Sequence, residues 1–348
     1  MSTDERKSIK DISWQVSERE YRKYPALSYS ILAKYEREGF NNLDKLFDRV
    51  ESPSLTFGSA VDTLITGNEE DFNNQFMVAQ LDNPPSDTLV NITKKLFNIF
   101  KDKYPSITDI PDEVILANIE NISWNNHWLP KTRVKKIKED CNAYYKLLYI
   151  ADGRTIINSY TYQDIINTVD KLKSSDATKF YFEQNSPFDT SIERFYQLKF
   201  KSTFNEIDYK CMADLLIVFH NDKAVVPVDL KTSSKPEWDF YKSFIDWRYD
   251  IQSRLYWNII RDNMNKDPFF KDYTLANYVF IVVNKRTLTP LAWKFKHTQD
   301  MDDIITKDNK VLRHPFIIGE ELKDYLDHKP KVPNGILLRM TNTIDDFI

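Results

Sequence analysis

The stretch Glu206–Lys231 constrains this chain most, because it reads as a single β-hairpin whose register fixes where three charged side chains go. Ile207, Tyr209, Cys211, Ala213, Leu215, Ile217 and Phe219 alternate with Asp208, Lys210, Met212 and Asp214, and Val226, Val228 and Leu230 alternate with Asp229 and Lys231. Between the two runs lies His220-Asn221-Asp222-Lys223. Asn and Asp tolerate positive φ, so a two-residue turn at Asn221-Asp222 is predicted, with His220 opposite Lys223. Counting down from that pair puts Asp214 directly opposite Asp229. Pro227 is the one residue in the run that favours a bulge or an unpaired position.

Directly opposed side chains have Cβ atoms about 4.5–5.5 Å apart, and like charges placed there repel. One raised pKa, a basic neighbour or a divalent cation relieves the repulsion. Lys231 lies two residues beyond Asp229, so the strand period sends its ammonium to the same face. Two carboxylates that hold Mg²⁺ or Mn²⁺ beside an ammonium that positions water are what phosphodiester hydrolysis requires. The same trio is equally the pattern of a solvated strand face with an ion pair worth about 0–1 kcal/mol.

The rest of the composition narrows the classes. Two cysteines, Cys141 and Cys211, exclude a disulfide framework and a four-cysteine metal centre, and neither has neighbours that would activate a thiol. Six glycines, with no Gly-x-Gly-x-x-Gly and no Gly-Lys-Ser/Thr, speak against nucleotide-driven chemistry. A formal charge of −4 gives no global signature of nucleic-acid binding, although local basic patches can carry phosphate contacts. The first residues lack the apolar core of a signal peptide and no apolar run is long enough to span a bilayer, so a cytoplasmic location without membrane contact is expected.

Along the chain, residues 1 to 27 read as an aromatic-bearing arm packed on something else. A helix begins at Ser28 or Ser30 and ends near Gly39, and a second covers about Leu55–Ile65 and is closed by Gly67. Gly58 costs that second helix about 1 kcal/mol relative to Ala, which implies close approach of another backbone. Asp62, four residues on, shares its face. Trp124, His127 and Trp128 precede the basic run Lys131, Arg133, Lys135, Lys136 and Lys138, which fits either a nucleic-acid surface or a lysine-rich helix beside core tryptophans. Long helical patterns follow through Leu148 and, after Gly153, through Leu172. Residues 191–200 alternate as a strand that carries Glu193. Phe240, Phe244, Trp247, Ile251, Leu255 and Ile259 repeat as one long amphipathic helix that also carries Gln252 and Tyr256 one turn apart. Residues 277–283 and 288–296 form two more strands, and the end is a helix with a polar tail.

The order of an acid, a hairpin, Val228-Asp229-Leu230-Lys231 and a helix with Gln252-x-x-x-Tyr256 resembles the PD-(D/E)xK nuclease superfamily, and within it the RecE, or exonuclease VIII, group, relatives of lambda exonuclease. Leu27-Ser28-Tyr29-Ser30 looks like that group's opening Leu-Ser-x-Ser helix. Phe57-Gly58-Ser59-Ala60-Val61-Asp62 with Glu70-Asp71-Phe72 looks like its Gly-x-x-x-His helix and trailing acidic-Phe stretch, and Glu193 falls where a further acid is often found. Together these touch most of residues 27–80 and 190–296. Two features depart from the pattern: Asp62 stands in place of the metal-binding histidine, and Met212-Ala213 stand where a basic residue often precedes the first acid.

The resemblance implies a restriction-endonuclease-like α/β (α+β) fold, with a mixed central β-sheet flanked by helices and a largely helical insertion. On that reading residues 1–80 form an arm and helices that contribute Asp62, 81–190 the insertion or wall, 191–300 the nuclease core, and 301–348 a helical end and tail. It implies a metal-dependent DNA exonuclease that processes double-stranded ends in phage-type recombination or repair. Asp214, Asp229, the Leu230 carbonyl and Asp62 would hold Mg²⁺ or Mn²⁺, and Lys231 would orient water. Gln252 and Tyr256 would support the site, with Glu193 as an additional acid. A homo-oligomeric ring and a single-strand annealing protein are the implied partners. An endonuclease of the same fold, or an inactive module that binds DNA or protein, are the alternatives.

Overall fold

The computed structural model describes residues 7–328 apart from 40–42, 44, 48–51, 68, 82, 121 and 123, so the polar tail lies outside the described residues. In chain order, α1 (Glu18–Lys23) and α2 (Tyr29–Glu38) precede α3 (Pro53–Thr66) and α4 (Glu69–Gln75). Next come β1 (Phe76–Ala79), α5 (Asp87–Phe100), α6 (Asp112–Ile119), α7 (Pro130–Ala151), β2 (Thr155–Asn158) and α8 (Ser159–Ser174). Three long strands follow: β3 (Ile192–Phe204), β4 (Ile207–Phe219) and β5 (Ala224–Thr232). Helices α9 (Phe240–Asp246) and α10 (Tyr249–Lys266) lead to β6 (Thr274–Leu275), β7 (Val279–Val283) and β8 (Leu291–Lys294). The described chain closes with β9 (Ile304–Ile305), β10 (Val311–Leu312) and α11 (Pro315–His328).

Two compact units result, Met1–Gly58 with Thr168–Ile348, and Ser59–Asn167. In the second unit, α5, α6 and α7 close around Ile92, Leu96, Ile115, Ile137, Cys141 and Tyr145, and β1 pairs β2 in parallel. Its basic run is largely answered by carboxylates. Lys135 pairs with Glu139, Lys136 with Asp140 and Lys138 with Asp112, while Trp124 packs against the apolar cluster. The lysine-rich helix face is therefore the reading that fits. Burial pushes the Cys141 thiol up to about 11 and Cys211, in the first unit, higher still, so both are inert.

The first unit is built on a mixed sheet in the order β3-β4-β5-β7-β8, with β6 also pairing β5. The β3/β4, β4/β5 and β7/β8 pairs are antiparallel, and β5/β7 is parallel. A parallel neighbour needs a crossover, and α9 with α10 supplies it. Ile251, Leu255, Ile259, Ile260 and Met264 of α10 pack on Phe200, Cys211, Ala213, Leu216, Val218, Phe280 and Val282 of the sheet, each large side chain contributing about 1.5–3 kcal/mol. Helices α2 and α11 pack on α10 in turn.

The hairpin register is the expected one. Phe219 pairs with Ala224 and the ladder runs unbroken past Leu216 and Pro227 to Leu215 and Val228. The turn differs, however, because the positive φ, +47°, belongs to Lys223, whose N–H donates to the His220 carbonyl at 3.3 Å. The single alternation expected along β4 also changes partway. Ala213 and Cys211 face the core cluster, but beyond them it is Leu216 and Val218, rather than Leu215 and Ile217, that join it. The same switch occurs on β3, between Phe195 and Leu198. It falls where Gln197, at φ +54°, and Asp214 face each other outside the ladder between the pairs Tyr196–Leu215 and Leu198–Ala213.

The arm packs on the β3/β4 end of the sheet. Leu27 bridges Tyr209 in parallel, with N–H to the Asp208 carbonyl and carbonyl to the Lys210 N–H, both at 2.9 Å. Lys210 Nζ donates to the carbonyls of Tyr21 and Tyr24, at 2.8 and 2.6 Å, and Trp14 and Tyr24 both cover Lys201 Nζ. The one long helix expected over Phe240–Ile259 is two. It breaks at Trp247–Arg248 because Arg248 takes φ +57° and is held there by Asp250 and Glu36, at 2.9 Å each.

On α11, a Cβ at Gly319 would collide with the Tyr209 hydroxyl, which is buried and has no hydrogen-bond partner among the described residues. Gly319→Ala is therefore expected to destabilise the fold by about 1–3 kcal/mol, the usual cost of overpacking. Adding Tyr209→Phe removes the obstructing oxygen and should recover most of that loss in urea denaturation. No recovery would mean that the helix backbone, not the hydroxyl, sets the limit.

Candidate active site

The site forms where β4 and β5 part. Below Leu215 the β4 edge is taken over by Leu27, while β5 continues beside β7 from Val228–Val279 to Thr232–Val283. Freed from a ladder partner, the Leu230 N–H donates to Asp214 Oδ2 at 3.1 Å. A strand residue directs its N–H and C=O to the same neighbour, so the Leu230 carbonyl also faces the Asp214 side. Asp229 and Lys231 pair with Phe280 and Val282, members of the core cluster, and so point to the α10 face. Asp214 shares the parity of Leu216 and Val218 and joins them there.

Asp229 is 1% exposed. Gln252 Nε2 donates to its Oδ1 at 2.5 Å, and Lys231 Nζ lies 2.6 Å from its Oδ2. The structure thus brings together Asp214, Asp229, Leu230, Lys231 and Gln252. Burial works to lower the Lys231 pKa, but the charges of Asp229, Tyr249 and Asp214 outweigh it and hold the ammonium above the ordinary lysine range. Tyr256 is one turn along α10 from Gln252; burial first, then Tyr21, Cys211 and the charges of Asp229 and Asp214, drive its hydroxyl far up, so it stays neutral. Tyr278 behaves alike, and its buried hydroxyl has no hydrogen-bond partner among the described residues.

Glu193 does not join this group. It pairs with Val218, four residues along β4 from Asp214 and so about 13 Å away along the strand. Its carboxylate instead meets His220 Nε2 at 2.7 Å, and His220 Nδ1 meets the Tyr273 hydroxyl at 2.9 Å. Asp62 belongs to the second unit, where its carbonyl accepts the Thr66 hydroxyl at 2.9 Å. Among the described residues, no three side chains drawn from His, Cys, Asp and Glu gather as a metal-holding group. Gly58 does mark a close approach, but to a side chain: a Cβ there would lie 3.0 Å from Thr232 Oγ1, next to Lys231.

Tyr249 was not singled out by its sequence pattern. Its ring lies 4.7 Å from Lys231 Nζ, and it sits at the first position of α10, one turn before Gln252. The signal was its spacing of three from Gln252, hidden by the apolar repeat that ran through Trp247. The ring offsets part of the desolvation of the ammonium. Tyr29, the first residue of α2, packs at 6.1 Å from Tyr249 and donates its hydroxyl to the Trp247 carbonyl at 2.9 Å, bracing the break that aims Tyr249.

Because the folded state holds the Lys231 proton more tightly than the unfolded chain, the lysine contributes stability that is complete below the unfolded pKa of about 10.4. That contribution is lost as pH rises through the higher folded value. Against an Asp229→Asn/Lys231→Met chain, in which both charges are gone, the stability difference should stay flat from neutral pH to about 10 and then move against the wild type. Denaturant midpoints across that range measure it, and a difference that stays flat or moves the other way contradicts the raised pKa.

No family model matches the chain, and no curated protein matches it. Among solved structures it is similar to the crystal structure of a protein described as a putative exonuclease from Eubacterium rectale. The two are 13% identical, with a TM-score of 0.41 over 90% of this chain and 86% of that one.

Proposed function

We propose that the protein is a metal-dependent deoxyribonuclease, acting as an exonuclease on double-stranded DNA ends in recombination or repair. The observation that carries this reading is the bond from the Leu230 N–H to Asp214, which ties one acid to the strand that presents Asp229 and Lys231. The donor set suits a hard divalent ion. Among the described residues, Asp229 Oδ2 is buried with the Lys231 ammonium beside it, and Gln252 Oε1 is buried with no hydrogen-bond partner. Mg²⁺ is characteristically held by one or two carboxylates together with water and substrate phosphate, and two carboxylates with a backbone carbonyl are what this fork offers.

In this reading Asp214, Asp229 and the Leu230 carbonyl would hold Mg²⁺ or Mn²⁺, which supplies charge neutralisation at the scissile phosphate and a more acidic water. Lys231, kept charged by its surroundings, orients the attacking water and stabilises charge developing on the phosphate oxygens. Gln252 fixes the Asp229 carboxylate so that its second oxygen stays directed to the fork. Tyr256 and Tyr278 close the apolar side with neutral hydroxyls. Assembly as a homo-oligomer and cooperation with a single-strand annealing protein belong to the same proposal.

End-labelled linear duplex, digested with Mg²⁺ and compared with covalently closed circular DNA, tests it. The wild type should degrade the linear substrate alone, and Lys231→Ala should lower the rate by about 10²–10³ or more. Asp229→Asn should abolish Mn²⁺ binding in calorimetric titration while keeping a cooperative unfolding transition. Full activity in both variants refutes the site, and equal cutting of the closed circle moves the assignment to an endonuclease.

A further inference from the structure

Resting on the nuclease reading, we infer that the cavity beside Trp247 takes a backbone phosphate of the DNA strand, with Arg37 and Lys310 supplying charge and Trp247 the stacking face for an adjoining base. The cavity, about 280 Å³, opens between the end of α2, the end of α9 and β10. Its charges do not cancel. Glu36 is matched by Arg248 at 2.9 Å and Arg313 at 2.5 Å, Asp246 by Lys235 at 2.7 Å, and Arg248 by Asp250 at 2.9 Å. Arg37 and Lys310, both exposed, have no carboxylate partner among the described residues. A small concave site with two cations that no carboxylate among the described residues neutralises attracts an anion.

The aromatic beside it makes that anion a nucleic-acid phosphate. Trp247, between the lining residues Asp246 and Arg248, is 52% exposed, a large apolar area left in solvent next to a charged cavity. Arg37 lies 5.0 Å from its ring centroid and donates to its carbonyl at 3.4 Å, so charge and ring are held as one unit. Base stacking on an aromatic with backbone charge alongside is how single strands are held. The location fits as well. Trp247 is two residues from Tyr249, whose ring covers Lys231, so the two backbone positions are at most about 7 Å apart.

The test is fluorescence anisotropy of a labelled single-stranded oligothymidylate with the full chain in EDTA, where no cleavage occurs. Arg37→Gln/Lys310→Gln should lower the slope of log K against log salt by about 0.7, the value for one lost phosphate contact on a single strand. Trp247→Ala should weaken binding by about 5- to 150-fold, the equivalent of about 1–3 kcal/mol for one stacked base, and Trp247→Phe should restore most of it. Unchanged slope and affinity in these variants overturn the inference. So does displacement of the oligonucleotide by millimolar inorganic phosphate with Trp247→Ala silent, which marks a small-anion site. Since the readout needs no metal and no turnover, binding without any cleavage under Mg²⁺ would sink the nuclease reading and leave this one standing.

Discussion

The larger unit is arranged around an ion pair, Asp229 against Lys231, that is buried at the carboxylate and part-buried at the ammonium, with Asp214 held alongside by the Leu230 N–H. Removing one partner of a buried pair typically costs about 3–5 kcal/mol, because the other is left as an uncompensated charge. The surroundings answer that demand with specific groups. Gln252 comes from α10, the Tyr249 ring from the first position of the same helix, and the backbone N–H from the point where β5 leaves β4. The parallel pairing of β5 with β7 then makes the α9–α10 crossover necessary, and the crossover brings Gln252 and Tyr249 to the charges.

Much of this was legible in the sequence because strand and helix periods are strict. With His220 and Lys223 opposed, counting back places Asp214 across from Asp229, and the ladder agrees to within one pair of that point. Pro227 was the element that threatened the count, and it sits in register opposite Leu216. Lys231 shares a face with Asp229 by the period of two, and Gln252 and Tyr256 share a face by the helical turn. The relations of Lys231 to Asp229 and of Gln252 to Tyr256 follow from the backbone periods alone.

What the pattern did not carry was set by tertiary contacts. Alternation through Phe219 reads as one face, yet the core side changes over at Gln197 and Asp214, where a positive φ takes one residue out of the ladder. Without that change Asp214 would share its face with Met212 and Lys210, away from α10. The apolar repeat through Trp247 reads as one helix, yet Arg248 is drawn into a left-handed conformation by Asp250 and by Glu36, which is more than two hundred residues away in the chain. Glu193 sits on the right strand at the wrong height, and its partner His220 comes from the turn at the far end of β4. A one-dimensional pattern gives the face of a side chain and says nothing of its height relative to another strand.

Two buried charge systems lie close together in this unit, and the difference between them separates scaffold from site. Glu36, Arg248, Asp250, Arg313 and Glu321 saturate one another, each guanidinium meeting carboxylates on two residues, and together they lock α2, α10 and α11. The Asp214–Asp229 fork is not saturated in the same way. Among the described residues, Asp229 Oδ2 has the Lys231 ammonium beside it, and Gln252 Oε1 is buried with nothing donating to it. An unmet acceptor in a low-dielectric interior costs stability. The contrast between a network closed on itself and a fork that holds a buried amide oxygen without a donor among the described residues is the physical support for the proposal that the fork takes a divalent cation.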